Sequence, residues 1–143
     1  MEVSPHDGTA WTGNFQPGLG GLTDVFARPS VLYVVSGGQG YSVDPESAEL
    51  QDTFGAALTW AAESDGWLFL HDGIKFYGFG PDCAAWVSRR VSWDGCRNVV
   101  VGDAAITGEA WEPSGLWHPF TIDTSSGNAS GGSYTDPVSR RAV

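Results

Sequence analysis

The stretch Trp67-Leu68-Phe69-Leu70-His71-Asp72-Gly73-Ile74-Lys75-Phe76-Tyr77-Gly78-Phe79-Gly80-Pro81 decides the fold. Trp67 to Leu70 is a short run of residues that suit a pleated, half-buried surface. His71-Asp72-Gly73 supplies a turn, because glycine takes the positive φ that a tight hairpin between twisted strands needs. The chain returns through Ile74 to Phe79 and stops at Gly80-Pro81, where proline removes a ladder donor. Ala85-Trp86-Val87 then reads as a third strand. The whole is a β-meander.

Similar units lie on both sides. Upstream, Val31 to Val35 is a strand, Ser36 to Gly40 a turn, Tyr41 to Val43 the return, Asp44-Pro45 the stop, and Leu50 to Phe54 a third strand. Downstream, Asn98 to Val101, a turn at Gly102-Asp103, Ile106 to Trp111, a stop at Glu112-Pro113 and Leu116 to Ile122 repeat the order. A single meander cannot bury its own face, so neighbouring units must stack. The expectation is an all-β domain of about three repeated antiparallel meander units, propeller-like or sandwich. A β-trefoil is the alternative, less favoured because each unit shows three strands and a trefoil wants four.

Around this repeat the chain divides into an irregular N-terminal arm (1–30), a β-repeat domain (31–124) and a Gly/Ser-rich flexible C-terminal tail (125–143). With 143 residues, 41% of them hydrophobic and 17% charged, the chain suits one packed domain of ordinary size. The opening Met1-Glu2-Val3-Ser4-Pro5 has neither a basic nor an apolar leader segment, and no apolar run approaches the length of a membrane span. Two cysteines, Cys83 and Cys96, suit free thiols in a reducing compartment. The expected location is cytoplasmic, without a membrane partner.

Seventeen acidic against seven basic residues give a net charge of −10, and Lys75 is the only lysine. Such a surface repels phosphate backbones, so nucleic acid is not an expected partner. No G-x-S-x-G, Walker-type loop or H-E-x-x-H is present. His6, His71 and His118 are scattered, and with Cys83 and Cys96 they lack zinc-ligand spacing, so neither metal nor cofactor is expected. Asp44, Asp72, Asp82, Asp94, Asp103 and Asp123 fall at expected turns, where the side chain can bond backbone two residues on.

Seven tryptophans are the unusual feature. Trp67, Trp86, Trp111 and Trp117 lie within strands and suit core filling, while Trp93 lies between Arg90 and Arg97, where a guanidinium can stack on it. Arg89, Arg90 and Arg97 are the basic cluster of the folded region. Trp93, Arg89, Arg90, Arg97 and Trp117 are therefore the candidate binding residues, with no catalytic residue proposed.

Trp86-Val87-Ser88-Arg89-Arg90-Val91-Ser92-Trp93-Asp94-Gly95 and Pro119-Phe120-Thr121-Ile122-Asp123, with Gly108-Glu109-Ala110-Trp111 and Gly131-Gly132-Ser133-Tyr134, resemble a family of small, uncharacterised bacterial all-β proteins. That resemblance spans about residues 31–134 and carries no catalytic residues with it. The strand–turn–strand–Asp-Pro rhythm also resembles blades of pyrroloquinoline-quinone-type or WD-type propellers, although Trp93-Asp94 stands without the Gly-His element of WD repeats. The expected function is a non-catalytic, acidic protein-binding module, like an immunity protein facing a basic toxin or a small accessory subunit. Two alternatives stand beside it: a carbohydrate-binding or glycan-active domain, and a subunit that self-assembles through strand edges into a homo-oligomer.

Overall fold

Glycine pairs and Asp-Gly steps, set between runs of apolar and β-branched residues, give the chain its architecture. The computed structural model describes residues 1–4 and 10–134, which fall into two compact units divided between Thr59 and Trp60. Both are built from antiparallel β-sheet.

In the first unit β1 (Glu2–Val3) pairs with β2 (Trp11–Thr12). A four-stranded meander follows: β3 (Asp24–Ala27), β4 (Leu32–Ser36), β5 (Gln39–Val43) and β6 (Leu50–Phe54), neighbours in that order. Ser36 pairs with Gln39 across Gly37 and Gly38, whose φ of 49° and 85° make the two-residue turn that matches strand twist. A side chain at Gly38 would also strike the backbone of Gly20. This strap, Pro17 to Leu22, runs past the turn and bonds to Ser36, Gly37, Gly38, Ala56 and Leu58.

The second unit holds two further meanders. The first is β7 (Trp60–Ser64), β8 (Trp67–His71), β9 (Phe76–Phe79) and β10 (Ala85–Val87), with a 3-10 turn at Pro81–Cys83. The second is β11 (Cys96–Val101), β12 (Ala105–Trp111), β13 (Trp117–Asp123) and β14 (Ala129–Gly131). Their faces pack through Phe69, Phe76, Val91, Ile106, Ala110, Phe120 and Ile122, with Phe76 and Phe120 ring centroids 5.4 Å apart. Burying such rings supplies the main stabilisation of the unit.

The all-β class and the antiparallel meanders are as expected, and the structure departs from the expectation in detail. Each meander has four strands, not three, because β3, β7 and β14 pair where no strand is expected. Each sheet is hydrogen-bonded separately, in place of the shared barrel that a trefoil requires. The repeat frame also slips in the third sheet: Pro45 and Pro81 follow third strands, whereas Pro113 follows β12, a second strand. Two segments expected to be irregular, within 1–30 and 125–143, contribute strands β3 and β14. The remainder of the expected tail, 135–143, lies outside the described residues.

A shared packing device underlies the three sheets. Gly40 faces Phe54, Gly78 faces Trp86 and Gly108 faces Phe120 across adjacent strands. In each pair the ring lies so close over the glycine that an added Cβ would come within 2.3–2.7 Å of it. The aromatic covers backbone that glycine leaves bare.

Candidate functional site

The two β-sheets of the second unit draw the expected basic and aromatic residues into two groups. In the first, the Arg90 guanidinium lies 4.3 Å from the Tyr134 ring centroid and 5.7 Å from that of Trp93. Its Nε and Nη2 donate to the carbonyls of Ser92 and Trp93 at 2.9 and 2.6 Å. Arg89 donates to the carbonyls of Arg90 and Gly131 at 3.1 and 2.9 Å. Ser133 adds a bond to the Trp111 carbonyl, and its amide donates to the Val91 carbonyl. These groups therefore fasten segment 129–134 onto the loop 89–93. Arginine suits that work, since its fork holds several carbonyls at once and its plane stacks on rings.

In the second group Arg97 lies 4.1 Å over the Trp117 ring and pairs with Glu109 at 3.2 Å. A bulge between Arg97 and Val100 puts Asn98 at φ 54°, from where its amide donates to the same carboxylate at 2.8 Å. The Asn98 bond, then the Arg97 bond, hold the Glu109 carboxyl below its ordinary range. This group occupies the exposed side of the third sheet, where Thr107 and Thr121 also face outward. Trp93 is 45% exposed, and the other six tryptophans are half-buried.

Several carboxylates serve the backbone. Asp44 accepts from the amides of Glu46 and Ser47, and Asp123 from those of Ser125 and Ser126. The backbone bonds of the two turns repeat at the same offsets, and a left-handed residue closes each, Ala48 at φ 63° and Gly127 at φ 76°. The Ser125 hydroxyl and amide lead the bonds that hold Asp123 below the ordinary carboxylate range. Asp72 accepts from Ile74 and Lys75 in the same manner.

Buried titratable groups cluster beside that turn. His71 is buried, stacks on Trp60 at 5.0 Å and accepts from the Gly73 amide through Nδ1. Burial pulls its pKa down to about 4, against the opposing charge of Asp72. Burial likewise pushes the Cys96 thiol and the Tyr77 phenol up to about 12, with Asp72 adding to both. A thiol held protonated is a poor nucleophile and metal ligand. Cys83 is an exposed free thiol. His6 lies outside the described residues.

Glu112 stands between Ser114 and His118, bonded to the hydroxyl and with its Oε2 3.1 Å from His118 Nε2, off the line of a hydrogen bond. The Ser114 bond holds Glu112 below its ordinary range. Here the imidazole meets the carboxylate and not the hydroxyl, which is the wrong order for a base to activate a nucleophile. Among the described residues no group of three His, Cys, Asp or Glu side chains could hold a metal ion, and no helix is long and apolar enough to cross a membrane.

The acidic surface is the feature that a search for basic and aromatic residues passes over. Seven acids and one base fall within 1–59, and the 46 residues between Arg28 and Lys75 carry seven acids and no Lys or Arg. Glu46 to Thr53 is exposed without interruption. This run covers the turn after β5 and most of β6, an edge strand that among the described residues pairs only with β5. Counting charge along the sequence locates it. No family model matches the chain, and no curated protein matches it.

Proposed function

We propose that this protein is a non-catalytic, acidic binding module whose partner is a basic protein, in the manner of an immunity protein or a small accessory subunit of a bacterial cytoplasmic complex. The observation that carries the reading is the opposite use of the two charge types. Arg89, Arg90 and Arg97 are engaged by carbonyls, rings and Glu109 within the second unit. The acids of the β5–β6 hairpin, in contrast, stand exposed in a segment without bases. A one-signed surface speeds encounter with an oppositely charged protein and rejects acidic ones. The half-burial of six tryptophans, with Arg97 over one face of Trp117, favours this reading over sugar stacking.

Affinity capture of the tagged chain from its host lysate, washed at low and high salt and identified by mass spectrometry, tests the reading. The expected result is a stoichiometric basic protein retained at low salt and released at high salt. Recovery of only the tagged chain at both salts would overturn it.

A further inference from the structure

Beside β6 the first unit has a hollow of about 280 Å3, lined by Trp11, Phe15, Tyr41, Val43, Ala48 and Leu50 among others. Leu50 pairs with Val43 across the sheet and stays 58% exposed, so an apolar side chain sits at the mouth of this hollow. The strand itself has one edge bonded to β5 and the other bonded to no strand among the described residues. Glu46 and Glu49 lie in the turn that leads into it and Asp52 within it, three exposed acids in seven residues.

From these three features we infer that the outer edge of β6 docks an extended basic segment of a partner protein as a fifth strand of the first sheet. The inference rests on the acidic-module reading above and gives that partner a place and a shape. Main-chain bonds along the edge supply affinity, and alternate side chains supply specificity. An apolar residue of the incoming strand enters the hollow beside Leu50, while its Lys or Arg residues run along Glu46, Glu49 and Asp52.

Edge protection accounts for only part of this. Charges and the bulge between Ser42 and Val43 do discourage pairing with any passing strand. Protection needs no apolar hollow and no exposed leucine at its mouth. A second copy of the chain is a poor occupant, because β6 against β6 would bring Asp52 of each copy, with Glu49 just before the strand, towards like charge. A cationic strand meets no such opposition.

The probe is a blocked peptide of alternating lysine and valine, about ten residues long, titrated into the 15N-labelled full chain. The expected result is amide shifts confined to 11–15 and 41–54, weakening about tenfold as salt rises. The exposed double variant Glu49→Lys/Asp52→Lys should abolish the shifts and keep the wild-type thermal melt. Shifts at another acidic surface that survive this double variant would overturn the β6 site and leave the acidic-module reading standing. No shifts at low salt would also overturn the site, and the lysate capture then judges the wider reading separately. Equal shifts with a glutamate–valine peptide would overturn the charge argument. Tighter binding by a peptide of residues 135–143, which contains Arg140 and Arg141, would assign the edge to the chain's own end and overturn the partner assignment.

Discussion

The two units use charge in opposite directions. In the second, cations are construction parts: Arg90 lies against Tyr134 and Trp93 while bonding two carbonyls, and Arg97 joins Trp117 to Glu109. In the first, the charges of β6 and the turn before it, Glu46, Glu49 and Asp52, are exposed and of one sign. Guanidinium groups whose bonds are taken up by the chain's own carbonyls and rings help to hold a fold, whereas an exposed carboxylate contributes little to folding and is available to a partner. Substitution in the second unit should therefore change stability, and substitution on β6 should change binding.

The largest effect belongs to the core between the sheets of the second unit. Phe120 is 2% exposed and packs on Phe76 and over Gly108. Phe120→Ala should cost about 3–5 kcal/mol in chemical denaturation. Next comes acid. His71 titrates near 4 in the fold and near 6.5 when unfolded, so between those values the unfolded chain binds the extra proton. Stability present above about pH 6.5 should fall by about 2–3 kcal/mol as pH drops to about 4. Denaturation series across that range check the slope, and His71→Phe should flatten it.

A smaller cost is expected for Arg90→Ala, about 1–2 kcal/mol from two lost carbonyl bonds and the ring contact. Salt-sensitive binding should be unchanged in that variant, and a loss of binding would break the division between the units. Smallest is a gain. Ala48 holds a left-handed φ of 63° where the equivalent turn has Gly127. Ala48→Gly should raise stability by about 0.5–1 kcal/mol, read from the denaturation midpoint.

Much of this fold is legible in the residues. The strands β4, β5, β6, β8, β9 and β10 follow from β-branched and aromatic runs between glycine turns. The fourth strand of each sheet is harder to see. β7 begins Trp60-Ala61-Ala62-Glu63, which has little β preference, and only the Asp65-Gly66 step behind it marks a hairpin, at φ 50° and 80°. β14 reads as a Gly/Ser linker because its order comes from elsewhere, from Arg89 on the Gly131 carbonyl and Gly132 on that of Pro119. Proline spacing misplaces the third repeat because proline ends any strand and does not say which one. The paired turns at Asp44 and Asp123 hold the frame better, since each sets an Asp and, three residues on, a Ser that bond the turn's amides at the same offsets.

The candidate site shows the same division. A search for cationic and aromatic residues finds Arg89, Arg90, Trp93, Arg97 and Trp117, and the structure holds all five in contacts that fasten the chain to itself. Sequence displays a residue's chemistry but not whether a carbonyl already occupies it. Charge balance is different, because no local partner can neutralise the 46 residues between Arg28 and Lys75 with a base of their own.

The most direct measurement is the affinity of a fluorescent lysine–valine peptide for three chains: wild type, Glu49→Lys/Asp52→Lys and Arg89→Ala/Arg90→Ala. Titrations at about 50 and about 300 mM salt separate charge from apolar contact. The wild type and the arginine variant should bind within about twofold of each other at low salt, and the β6 variant at least about tenfold more weakly. Equal binding by the β6 variant, with loss in the arginine variant, would contradict the account and move the site to the second unit.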